Sequence, residues 1–178
     1  MVRELQRVRF NMLTIYKNNS FKETQEKPPL PVISPLIYSD TNFFLVANYV
    51  ICVCLNGAKI EIFIPKGFIF DGASIPRFFW RIVGHPFHPK RVIAALVHDA
   101  LFGKIDGRVK IWIGGYLLDN ERAMKFFDRK KTDQVFQALL QACKNSGFIN
   151  FTMTKAVRIG GRFFFRKLTN KFITDIKE

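Results

Sequence analysis

With 178 residues, 48% of them apolar, and 28 Lys and Arg against 14 Asp and Glu, the chain has material for one buried core and is not a wholly disordered polymer. The net charge of +14 draws it to anionic partners, whether nucleic acid, an anionic membrane face or an acidic protein. Three cysteines, Cys52, Cys54 and Cys143, make neither a disulfide framework nor a C-x-x-C metal clip, and they suit a reducing compartment.

The chain opens with a mixed polar segment, and residues 1–27 carry 6 basic and 3 acidic groups. Residues 28–35 (PPLPVISP) follow with four prolines, an extended and semi-rigid joint. The expected organisation is a basic arm over 1–30, one domain over 31–165 and a basic tail over 166–178. The start, MVRELQRVRF, lacks the apolar stretch of a signal peptide. The longest apolar run, Phe43 to Leu55, is interrupted by Asn48 and falls short of the ~20 residues of a membrane span. No transmembrane segment and no signal-peptide export are therefore expected.

Phe43 to Leu55, the pair Asn56-Gly57 and the alternating KIEIFI of Lys59 to Ile64 predict a β-hairpin. Phe68-Ile69-Phe70 can add a short strand before a Gly-containing loop at 71–75, and Pro76 suits the first turn of a short helix to about Val83, with Ser74 as its cap. Arg91 to Phe102 reads as an apolar helix ended by Gly103. From Asn120 the spacing is helical again, with apolar positions at Ala123, Phe126, Phe127, Val135, Phe136, Leu139, Leu140 and Cys143. The polar DRKKTD leaves open one long helix or two with a joint near Thr132. A last helix is expected from Phe151 to about Ile159, stopped by Gly160-Gly161. A small antiparallel sheet, hairpin plus short strand, packed on three to four helices is an α+β fold.

Three features could carry chemistry. Asp71-Gly72, at a strand-to-helix joint, could hold a cation or simply cap backbone amides. His98-Asp99 lies inside an apolar helix, where two adjacent polar groups diverge by ~100° and both need partners. Asp133 falls on the apolar side of its helix, with Phe136 and Leu140 following at three and seven residues. There it could accept a hydrogen bond from a histidine on a neighbouring helix and leave the other ring nitrogen as a base, or it could be a first-turn acid behind a Thr132 cap. His85 and His88, in GHPFHP, have no third ligand nearby and read as solvent-facing.

The succession Ile64-Pro65-Lys66-Gly67-Phe68, Asp71 to Arg77 (DGASIPR), Trp80, His98 to Phe102 (HDALF), Arg129 to Phe136 and Lys155 to Arg158 resembles a family of uncharacterised proteins of tailed phages and prophages. Its pattern runs V-P-x-G-F-x-T-D-G-A-S-I-P, then H-D-x-L-Y, then R-x-x-A-D-x-x-F. The likeness covers about Pro31 to Phe165 and marks Gly72, Ser74, Pro76, Trp80 and Arg129 as motif positions. The chain departs from the pattern with Phe70 for Thr, Phe102 for Tyr, Thr132 for Ala and a longer insert at 103–128. A second likeness concerns mechanism: H-D-x-x-Y on one helix and an Asp on an antiparallel helix look like the arrangement of phospholipase A2. That resemblance would make His98 the base, Asp133 its orienting group, Asp99 a Ca²⁺ ligand and Asp71 a further source of oxygen.

The expectation is a virion-associated structural or assembly protein, found in the virion or host cytoplasm. Its basic termini would bind other virion proteins, and DNA or an anionic membrane could be further partners. A Ca²⁺-dependent phospholipase-like hydrolase is the first alternative, and a basic factor binding nucleic acid or a host protein during infection is the second.

Overall fold

The computed structural model describes residues 12–15, 21–22, 30–36, 42–55, 57–71, 88–102, 108–143 and 145–164. Its centre is the hairpin of the sequence expectation. Strand β5 (Tyr49–Leu55) pairs antiparallel with β6 (Ala58–Ile64), with Leu55 opposite Ala58 across a two-residue turn in which Gly57 takes φ 84°. Only a residue without Cβ tolerates that value cheaply. Period-two alternation turns Tyr49, Ile51, Val53 and Leu55, with Ile60, Ile62 and Ile64, into one buried face.

Among the described residues the sheet around this hairpin has six strands, in the order β2 (Phe21–Lys22), β1 (Met12–Ile15), β5, β6, β8 (Lys110–Ile113) and β9 (Tyr116–Leu117). Every pairing is antiparallel except β1 with β5. A second sheet joins β3 (Ile33–Pro35), β4 (Phe43–Leu45) and β7 (Ile69–Phe70), all antiparallel. The apolar run expected as one strand is thus two, in different sheets, separated at Val46–Asn48. Strands β1 and β2 lie in the stretch expected to be an arm, and β8 and β9 in the stretch taken as an insert. The helix expected after Pro76 lies outside the described residues, as do Gly72, Ser74, Pro76, Trp80 and His85.

Among the described residues four helices follow: α1 (Val92–Phe102), α2 (Asn120–Phe126), α3 (Arg129–Ala142) and α4 (Gly147–Phe164). The fold is α+β. Nine of the eleven residues of α1 are buried, which suits a helix apolar all round. It packs on α3 and touches β7, while α3 packs on α4. The start of α1 and the end of α3 are tied by Asn145, whose Nδ2 donates to the carbonyls of Lys90 at 2.8 Å and Leu140 at 2.9 Å.

The joint left open near Thr132 falls instead at Phe127-Asp128. Asp119 and Asp128 are the two N-caps, accepting from the backbone N–H of Arg122 at 2.8 Å and of Lys131 at 2.7 Å. A carboxylate there satisfies an otherwise orphaned donor and meets the positive end of the helix. Thr132 is no cap: it sits inside α3 with its hydroxyl donating to the carbonyl of Asp128 at 3.0 Å. Helix α4 starts earlier than expected, with the Ser146 hydroxyl accepting from the N–H of Ile149 at 3.3 Å, and it continues through Gly160 and Gly161. Two glycines cost roughly 1 kcal/mol each in a helix, which slows but does not forbid continuation.

Asp128→Ala should lower stability by about 1 kcal/mol, a fall in Tm of about 2–4 °C, while Thr132→Val costs less. Thermal melts of the two variants check this; the reverse order would place the joint at Thr132 after all.

Candidate functional site

His98 is carried by α1 and Asp133 by α3, and the packing of these two helices brings them face to face. His98 Nε2 stands 3.5 Å from Asp133 Oδ1, and Nδ1 stands 3.7 Å from Oδ1 of the adjacent Asp99. These are ion-pair separations, longer than hydrogen bonds, and His98 Nε2 and Asp133 Oδ1 are both buried with no hydrogen-bond partner. Closing the gap by about 0.5 Å would make an ordinary bond. His98 is 4% exposed and Asp133 5%. The imidazole stacks on Phe102 (centroids 4.8 Å apart, planes at 27°) and meets the edge of Phe136 at 5.0 Å. An apolar slot therefore holds the ring plane, and two carboxylates flank its nitrogens.

Burial alone would lower the His98 pKa, but the attraction of Asp133 and of Asp99 outweighs it and the net shift is upward. Asp99 is pushed up to about 8, first by burial and then by the charge of Asp71, while His98 pulls the other way. Asp71 directly follows β7, the strand that touches α1, and this contact sets its carboxyl beside that of Asp99. The pair lies at the surface side of the site: Asp71 is exposed, and the Asp99 side chain keeps 15% of its area in water.

Four residues drawn from three parts of the chain, Asp71, His98, Asp99 and Asp133, are thus brought together. Asp133 is not a first-turn acid held by Thr132; it points into the helix interface. Two arginines extend the network. Arg158 on α4 places Nε 4.0 Å from Asp133 Oδ2, and Arg129 at the start of α3 donates from Nη2 to the carbonyl of Arg158. Arg129 was legible as a motif position, but the role of Arg158 was not; its only signal was a place in the Lys155 to Arg158 stretch. His88 is exposed and accepts from the backbone N–H of Lys90 at 3.2 Å, part of the turn that starts α1. Among the described residues no group of three or more His, Cys, Asp or Glu converges as a metal cluster.

The chain belongs to the family described as protein of unknown function (DUF1353), whose model matches residues 45–157, a span that holds all four site residues and Arg129. It is also similar to uncharacterized protein y4jT of Sinorhizobium fredii (strain NBRC 101917 / NGR234), at 46% identity over 44 residues. That stretch is 25% of this chain and 12% of y4jT, so the chain covers only a small part of that protein's length. No solved structure matches the chain.

A carboxyl whose pKa is higher folded than unfolded stabilises the fold in its protonated form, fully so below its unfolded value and less as pH rises through its folded one. With Asp99 at about 8 against an ordinary 3.8, wild-type stability should fall between mildly acid pH and pH ~9. Asp99→Asn should flatten that fall and gain on wild type at the alkaline end. Melts across the range check it, and parallel curves for the two proteins would contradict it.

Proposed function

We propose that His98, Asp133, Asp99 and Asp71 form the centre of a Ca²⁺-dependent hydrolase of lipid or other ester bonds. The observation that carries this is the convergence of an imidazole, set through Nε2 by a carboxylate on a second helix, with a pair of carboxyls, Asp71 exposed and Asp99 mostly buried, on its Nδ1 side. Asp133 and the rings of Phe102 and Phe136 fix the imidazole, and Nδ1, 3.7 Å from Asp99, is the nitrogen that would take a proton from a water molecule. Asp71 and Asp99 are the residues that would hold the cation. Their donor chemistry fits a hard ion, since two adjacent carboxyls, one pushed to about 8 by burial and its neighbour's charge, are jointly stabilised by positive charge between them. Calcium takes about six to eight oxygens, more than two carboxylates supply, so carbonyls or water would complete the set. Bound there, the ion would polarise an ester carbonyl and weaken the pull that keeps His98 protonated. Because His98 is 4% exposed, substrate would approach from the side of Asp71 and Asp99.

In assays on phospholipid vesicles and short-chain esters with added calcium, wild type should turn over. His98→Gln and Asp133→Asn should each lose about 100-fold or more while still melting cooperatively, and chelation should stop the reaction. A folded wild type inert on both substrate classes with calcium present would overturn the proposal.

A second reading is favoured by a different feature. Strand β9 is an outer strand of the larger sheet and exposes Tyr116 by 81% and Leu117 by 56%, an apolar edge suited to pairing with another chain. With the likeness to phage and prophage proteins and the basic ends, it supports a virion-associated component that contacts neighbouring subunits or packaged DNA. The buried His–Asp network would then clamp α1 to α3. Mass spectrometry of purified particles from a producing host should detect the chain, and its absence from them would sink this reading.

A further inference from the structure

Helix α4 has two unlike sides. Met153, Ala156 and Val157 are buried, and this side packs the helix on α3. The opposite side exposes Phe148 (66%) and Phe151 (63%), followed by exposed Lys155, with Arg158 at its edge, where the guanidinium turns toward Asp133. Steps of three, four and three residues place these four on one stripe. Single exposed apolar residues are ordinary, but two phenyl rings on neighbouring turns, continuous with cations, form a patch. Lys155 Nζ lies 5.4 Å from the centroid of Phe151, so the cationic and aromatic groups adjoin.

We infer that this stripe is a docking surface for a bilayer bearing anionic lipid headgroups. The rings would sit at the boundary of headgroups and acyl chains, and Lys155 would reach the phosphates from its apolar stem. The charge of the sequence suits such a surface, because residues 144–178 carry 8 basic and 2 acidic groups within a chain of +14, and basic groups are drawn to anionic lipid. The described helices include none long and apolar enough to cross a membrane, so α4 would lie in the interface plane. A convex helix ridge also suits a flat bilayer better than single-stranded nucleic acid, whose bases stack on rings set in a basic groove. The inference stands without the hydrolytic reading, because it concerns binding alone.

Sedimentation of the full chain with vesicles of phosphatidylcholine, with and without phosphatidylglycerol, tests it. Binding should need phosphatidylglycerol and weaken as salt is raised. The double variant Phe148→Ser/Phe151→Ser should bind at least about tenfold more weakly, and Lys155→Glu should weaken binding too. Both substituted positions are exposed, and unchanged melts would confirm that the fold is kept. Three results would overturn the inference: no vesicle binding, binding indifferent to loss of the rings, or rings needed for single-stranded DNA or self-association but not for vesicles.

Discussion

An ionisable ring buried between two carboxylates in an apolar helix pair constrains everything near it. Water no longer solvates His98, so the proton it carries must be balanced by Asp133 on one side and Asp99 on the other. Neither acid stands alone. Asp133 faces Arg158 across the α3–α4 packing, and Asp99 faces Asp71 at the end of β7. Removing one member would leave a buried polar atom or an uncompensated charge, which costs more than the pair itself contributes.

The fold supplies this arrangement by ordinary means. The hairpin and its flanking strands give the helices an apolar floor, and Asn145 ties the start of α1 to the end of α3. The Asp128 cap starts a new helix after α2, so that Asp133 lies five residues into α3 and turns inward with Phe136. The contact of β7 with α1 fixes where Asp71 falls. A shift of one residue in the α3 start would rotate Asp133 by ~100° and take it out of reach of His98.

Much of this was legible in the sequence for physical reasons that can be named. The Asn56-Gly57 hairpin is set by turn chemistry within a few residues, and α1 by an unbroken apolar stretch. Strands β8 and β9 fall in the stretch expected as an insert, although Ile111-Trp112-Ile113 favours a strand and Gly114-Gly115 is a hairpin turn with φ 59° and 88°. One long helix or two with a joint near Thr132 stays open in the sequence because a polar run hides a cap among other polar residues, and only the geometry at Asp128 separates them. Strand β1 is held by pairing with the distant β5, which local pattern cannot register, and β2 in turn pairs with β1. The site is the converse case. His98 and Asp133 are 35 positions apart, and their meeting was expected from motif likeness together with the rule that a polar group in an apolar helix needs a partner.

Arg158 joins the two regions of interest, since its carbonyl is held by Arg129, its guanidinium faces Asp133, and its helix presents the aromatic and basic stripe. Both the helix packing and the site depend on His98 being held between its two acids. The most direct measurement is the titration of the His98 imidazole by NMR in wild type and in Asp133→Asn. The wild-type imidazole should titrate above the ordinary 6.5, and lower once the Asp133 charge is gone. A wild-type imidazole that titrates at or below 6.5, unmoved by the substitution, would contradict this placement of His98.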